Sequence, residues 1–270
     1  MSKKNTPPAG KPKILYFDIE NAPNISYTWG ASHEESVIKV VEPWFVLSFA
    51  YRWEGNPASS TECVIVTPKE VKKRDDKRVV KRMFELFEEA DIIVGHNSDR
   101  FDRKKMNARA IVHGFAPPQP YRTIDTLKIA RQNFAFNSNR LDQLGDTLGV
   151  GRKVEHSGFK LWEECMHGDA AALKMMAKYN VQDVNLTRDV YMKLRPFHVT
   201  HPNLSIYGDE GNRHTCPKCG ADEEHLMSRG YKYTNVAVKR TWQCKVCGGW
   251  SSSRVSEKVD PRDKPSRTSA

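Results

Sequence analysis

No stretch of the 270-residue chain approaches the ~20 consecutive apolar residues that a membrane-spanning helix needs. The Lys- and Pro-rich start lacks the apolar segment of a secretory leader, so a cytoplasmic location is expected, with neither export nor a membrane partner. Cysteine is scarce. Six residues in a cytosolic chain of this size do not make a disulfide framework, and four of them fall in Cys-x-x-Cys pairs. Repetition at solenoid periods is absent, which excludes a stacked-repeat architecture. Acidic residues are in deficit, 33 against 43 lysines and arginines, giving a net charge of +10 and a pI near 9.3. That imbalance favours an anionic partner, nucleic acid ahead of a membrane surface. The length suffices for one ordinary core plus a small satellite domain.

What is present begins with residues 13–20, KILYFDIE, a β-favouring run bounded by Pro12 and Pro23 that predicts a strand. Side chains alternate along a strand, so Asp18 and Glu20 share a face. Two like charges so close repel, and a shared divalent cation offsets that cost. A solvated strand end explains an isolated Asp-x-Glu equally well, so the remaining acids decide the matter.

Residues 1–12 read as a solvated tail and residues 21–42 mainly as an excursion over the surface. WFVLSFAYRW (44–53) and ECVIVT (62–67), separated by the breaker Glu54-Gly55-Asn56-Pro57, predict an antiparallel hairpin beside the first strand. Val79, Val80, Met83, Phe84 and Phe87 recur at helical spacing over 76–90. Residues 91–95 form a short apolar strand that empties into His96–Asp102 and a helix to about His113. Tyr121–Asp125 predicts a strand, with Asp125 or Thr126 capping a helix over 127–132. Short helices over 139–149 and 159–167 follow, then a long one over 169–194 with Asp169 at its positive end and Pro196 beyond it. The pattern predicts an α/β domain around one mixed sheet. Asp102 opens a helix after a buried strand, where sites in α/β folds lie, although an acid there is also ordinary helix chemistry. Tyr179 and Asp183, at i and i+4, share a face with Met176. If that face is buried, Asp183 needs a partner; a core tyrosine beside a solvated aspartate is the plainer alternative.

The order FDIE (Asp18, Glu20), GHNSDRFD (Asn97, Phe101, Asp102) and YNVQD (Tyr179, Asp183) resembles the tyrosine subclass of the DEDD 3′–5′ exonucleases. These are RNase H-like folds that include the proofreading domains of DNA polymerases. EPWFVLSFAYRWEG, DRKKMNARAIVHG, YRTIDTLKIAR, FNSNRLDQLG and CMHGDAAALKMMAKYN are similar to stretches of phage-encoded exonuclease subunits of a DNA polymerase, and the resemblance spans roughly residues 13–250. It implies an exonuclease domain over 13–205 that holds two Mg²⁺ or Mn²⁺ ions on Asp18, Glu20, Asp102 and Asp183. Asp18 would bridge both ions, Glu20 and Asp183 would complete the water-activating site, and Asp102 would serve the second ion. Tyr179 would hold the attacking water. The implied substrate is the 3′ end of DNA, single-stranded or frayed, cut to 5′-mononucleotides in the bacterial cytoplasm beside a DNA polymerase or other replication protein. Asn21 stands where the family commonly has Thr, which touches the fit of the 3′ end rather than catalysis. His96, Asn97 and Phe101 are candidates to shape the substrate groove, with a core position the other expectation for Phe101. RNA stays an alternative substrate, because no residue pattern here reads a 2′-hydroxyl.

Cys216-Pro-Lys-Cys219-Gly220 and Cys244-Lys-Val-Cys247-Gly248, 24 residues apart, predict a zinc ribbon over 206–256 with one structural Zn²⁺ and an extended hairpin at 231–243. Disulfides or unpaired thiols are the alternative. Cys63 and Cys165 read as small buried hydrophobes. Between Arg213 and Arg254, eight lysines or arginines against three acids, with Tyr231, Tyr233, Trp242 and Trp250 among them, suit single-strand tracking. A ribbon whose aromatics merely pack it, or a docking piece that makes the protein a replisome adaptor, fits as well. The tail from 257 to 270 reads as disordered.

Overall fold

The computed structural model describes residues 11–30, 32, 35–207 and 215–257, so the expected tails lie outside it except at residues 11, 12 and 257. The chain divides into two units, 1–194 and 195–270.

In the first unit, strand β1 (Ile14–Asn21) is followed by β2 (Ile25–Tyr27), β3 (Lys39–Glu42), β4 (Val46–Trp53) and β5 (Glu62–Ile65). Helices α1 (Pro68–Lys73) and α2 (Lys77–Glu89) lead to β6 (Ile92–Gly95), α3 (Asp102–Val112), β7 (Arg122–Asp125) and α4 (Thr126–Asn133). Helices α5 (Leu141–Thr147), α6 (Phe159–Met166) and α7 (Ala170–Leu194) complete it. The sheet runs β5-β4-β1-β6-β7. As the hairpin pattern predicts, β4 is antiparallel to β1, and β5 to β4, whereas β6 and β7 are reached through helices and lie parallel. All eight residues of β4 are buried, as are all four of β6, because helices cover both faces of the central strands.

The apolar stripe of α2, Val79, Val80, Met83 and Phe87, is buried in the core, with Phe87 edge-on to Phe17 at 5.0 Å. Each such side chain contributes about 1.5–3 kcal/mol through burial. Helix α3, whose first residue is Asp102, is tied down by an ionic knot. The fully buried Asp76 carboxylate accepts from the Arg109 guanidinium at 2.6 and 2.7 Å, from the Val46 amide at 2.8 Å, and lies 2.6 Å from His113 Nε2. A buried charge so fully hydrogen-bonded offsets its desolvation and fixes the helix relative to β4.

Two elements depart from the expectation. The excursion at 21–42 is partly a ribbon, because the β1–β4 pairing continues past the sheet through Ala22 to Phe45 and on to β2–β3. Helix α1 is too short for apolar periodicity, and local chemistry starts it: Pro68 at its first turn and a reciprocal Thr67–Glu70 capping box.

In the second unit, β8 (Leu226–Tyr233), β9 (Val238–Cys244) and β10 (Trp250–Ser252) form an antiparallel sheet of order β10-β9-β8, which realises the expected hairpin. No helix among the described residues is long and apolar enough to cross a membrane.

Candidate active site

Strand alternation puts Asp18 and Glu20 on one face of β1, opposite Ala50 and Ser48 of β4. Helix α7 turns Met176, Tyr179, Asn180 and Asp183 inward onto the sheet. Together these elements bring carboxylate oxygens of Asp18, Glu20 and Asp183 within 4.8 Å of one another, although 163 positions separate the last two in sequence. Asp102, 4% exposed, accepts from the Ile19 amide at 3.4 Å. It stands outside the cluster of three, yet its charge still acts on Asp18 and Glu20.

Burial is the largest influence on all four acids, with mutual repulsion added for Asp18 and Glu20. Asp18 and Asp183 are held above the ordinary carboxylate range, Glu20 is pushed up to about 8 and Asp102 to about 7. Asp183 Oδ1 is buried with no hydrogen-bond partner among the described residues. An oxygen-only donor set, a repelling cluster and an orphaned carboxylate oxygen fit hard divalent cations such as Mg²⁺ or Mn²⁺.

The electrostatics carry a sign. A carboxyl whose pKa is raised by folding stabilises the fold below its ordinary value, near 4, and loses that contribution as pH climbs through about 7–8. The cation-free protein is therefore expected to melt several degrees lower at pH 8.5 than at pH 5.5, and Mg²⁺ or Mn²⁺ to cancel most of the drop. Scanning calorimetry reads this directly. A midpoint that stays flat across that range without cation would show that the acids do not share a buried pocket.

Three residues the sequence did not single out complete the surroundings. Lys153 donates to Asp183 Oδ2 at 2.5 Å and to the Tyr179 hydroxyl at 2.8 Å. Burial alone would lower its pKa, but these neighbours hold the ammonium above its ordinary value. Asn180, fully buried, donates to Asp18 Oδ2 at 2.6 Å and accepts from Ser48 Oγ at 3.0 Å, which fixes that carboxylate. His156 packs edge-on against Tyr179 at 4.9 Å. Lys153 and His156 lie in a loop without periodicity, in a chain rich in basic residues, so no spacing marked them. Asn180 was adjacent to a motif residue but carried no separate signal.

Burial and the charge of Asp183 push the Tyr179 phenol upward, so it stays protonated. The second motif is shaped by backbone demands. A Cβ on Gly95 would lie 2.5 Å from Ser98 Cβ, and Asn97 adopts a left-handed φ of 60°. Asp125 pins the turn by accepting from the amides of Asn97 and Asp99, and it caps α4 through the amide of Leu127. His96 is half-buried, and desolvation pushes it down to about 4, hence neutral, with Nδ1 2.8 Å from Thr126 Oγ1. Phe101 is exposed rather than in the core, with the Lys105 ammonium 5.0 Å from its ring. The side-chain carboxamide of Asn21, at a bulge after Glu20, has its Nδ2 and Oδ1 buried without a hydrogen-bond partner among the described residues.

The four ribbon cysteines are free thiols whose sulfurs all lie within 4.8 Å of one another, with Cys216–Cys247 and Cys219–Cys244 at 3.7 Å. That spacing excludes disulfides and matches the ~3.8 Å edge of a tetrahedron with Zn–S near 2.3 Å. Gly220 and Gly248 take the left-handed conformation that closes each knuckle, and the Gly249 amide donates to Cys247 Sγ at 3.4 Å. Cys165 is buried as expected, while Cys63 is half-buried with its thiol 3.9 Å from Asn180 Oδ1.

Against known proteins, no curated protein matches the chain. A family B DNA polymerase of the hyperthermophilic archaeon Pyrobaculum calidifontis is similar in fold, with a TM-score of 0.50 and 20% identity over 72% of this chain. The match takes in 26% of the polymerase, so the chain corresponds to about a quarter of its length. The family profile RNase_H_2 matches residues 15–195, more than half of the chain and all the acids described above. With its mixed sheet and acid cluster, the chain belongs to the RNase H superfamily.

Proposed function

We propose that the protein is a metal-dependent 3′–5′ exonuclease of the DEDD tyrosine subclass, phage-type and associated with DNA replication. The observation that carries this is the meeting of Asp18, Glu20 and Asp183 in one partly buried cluster with Asp102 beside it. Two Mg²⁺ or Mn²⁺ ions held by these four acids would supply an acidified water and neutralise the departing 3′ oxygen. The residues of the chain do the positioning. Asn180 fixes Asp18, and Lys153 fixes Asp183 and Tyr179 while adding positive charge beside the acids. A phenol this hard to ionise does not act as general base; it orients the attacking water through its hydroxyl. The unpartnered Asn21 side-chain carboxamide and the exposed Phe101 ring, with Lys105 over it, suit the sugar and base of a terminal nucleotide. Asn97 shapes the turn between them. In the second unit, Cys216, Cys219, Cys244 and Cys247 hold a structural Zn²⁺. The substrate is the 3′ end of DNA in the cytoplasm, and proofreading beside a polymerase is the expected role.

The test uses oligonucleotides labelled at either end, DNA against RNA, with Mg²⁺, Mn²⁺ or EDTA. A 5′-labelled DNA strand should give a descending ladder and a 3′-labelled one should release mononucleotide at once, both silenced by EDTA. Internal cuts, or shortening from the 5′ end, would overturn the assignment.

A further inference from the structure

The ribbon carries a surface that neither cluster uses, and the inference from it rests on the DNA-directed function above. Cross-strand partners share a face of a sheet. On one face of the β8–β9–β10 sheet Lys232 lies opposite Lys239, and Gln243 lies between Met227 and Trp250. Arg229 reaches the same face by donating to Gln243 Oε1 at 3.0 Å. Trp250 is 54% exposed, Lys232 and Arg229 are exposed, and Lys239 is half-buried.

Among the described residues, the ion pairs of this unit are Arg240–Glu257 and His225–Glu224, and neither involves Lys232, Lys239 or Arg229. The opposite face is satisfied internally. Arg240 donates to Glu257 at 3.0 Å and to the Tyr231 hydroxyl at 3.0 Å, and lies over that ring at 5.3 Å. Two lysines directly opposed across a ladder destabilise the sheet, and a polyanion removes that cost. The exposed apolar group among these cations is a flat indole beside a hydrogen-bonding amide rather than an aliphatic patch, which suits a nucleobase better than a peptide.

We propose that this face binds single-stranded nucleic acid, with Arg229, Lys232 and Lys239 on backbone phosphates and Trp250 stacked on a base. It is a second nucleic-acid site, built on the ribbon and separate in sequence from the acid cluster.

The experiment measures anisotropy of a 5′-fluorescein oligo-dT strand against full-length protein carrying Asp18→Ala to prevent cleavage, over 50–300 mM salt. Adding R229A, K232A and K239A should weaken binding about 10-fold or more and flatten the log–log salt slope by ~2, near 0.7 for each lost phosphate contact. Trp250→Ala should weaken binding with the slope unchanged. Lys232→Arg with Lys239→Arg should retain binding, separating lost charge from lost fold. In the otherwise unmodified enzyme, hydrolysis of the p-nitrophenyl ester of thymidine 5′-monophosphate should be unaffected by the ribbon substitutions, because that substrate is too small to need both sites. Failure of every form to cleave the ester would count against the nuclease function, whereas the anisotropy series judges the ribbon independently. Unchanged affinity and slope in the triple variant would overturn the proposal, as would a variant that loses retention of an acidic peptide while still holding the strand.

Discussion

Asp18→Ala is expected to cut exonuclease turnover by about 10⁴-fold, roughly 5 kcal/mol of barrier, whereas Tyr179→Phe should leave activity within ~10- to 100-fold of the parent. The asymmetry follows from what each side chain does. Asp18 is held by Asn180, shares the cluster with Glu20 and Asp183, and feels Asp102 as well, so its loss removes the central acid of the cluster proposed to hold the cations. Asp183→Ala should be similarly severe, with the added loss of the Lys153 contact. Tyr179→Phe keeps the ring that packs on His156 and Trp162 and removes only the hydroxyl. Single-turnover degradation of a 5′-labelled primer reads both. A Tyr179→Phe enzyme as inactive as Asp18→Ala would show that the hydroxyl does more than orient water.

The second large effect concerns the ribbon. Few of its described residues are fully buried, and two of those are Cys216 and Cys244, so a metal held by the four cysteines is expected to supply its stability. Apparent zinc-binding free energies of about 10–16 kcal/mol in such modules exceed anything a sheet this small can supply by packing. Cys216→Ser with Cys219→Ser should release the metal and abolish amide-exchange protection across 226–252. The first unit has its own core, so those variants should still degrade a short single strand, and so should a chain lacking residues 206–270. Persistent protection in β8 and β9 after zinc loss would refute the dependence. Loss of short-strand hydrolysis on deletion would instead favour the adaptor function, in which the ribbon is the working end.

Much of the fold was legible because its signals are local. A β-favouring run between two prolines marked β1, the hairpin of β4 and β5 followed from two β-rich runs around a Gly-Asn-Pro breaker, and the amphipathic stripe marked α2. The ribbon β2–β3 was not legible, since its strands are short and it owes its pairing to the continuation of β1 and β4. Helix α1 could have been found from its Thr-Pro-x-Glu capping signature. Phe101 was ambiguous because an aromatic ahead of a helix has no burial signature of its own.

By itself, the sequence determined the chemistry on offer: an oxygen-donor set on Asp18, Glu20, Asp102 and Asp183, a thiolate set in two knuckles, and a basic surplus. Strand alternation and helical spacing also determined that Asp18 pairs with Glu20, and Tyr179 with Asp183. Only tertiary structure decided that these pairs meet, because α7 crosses β1 through packing between residues far apart in the chain. It alone brought Lys153 from an unpatterned loop onto Asp183 and set Asn180 against Asp18. Periodicity reports which side chains share a face of one element; which faces are pressed together is settled by the burial of the whole core.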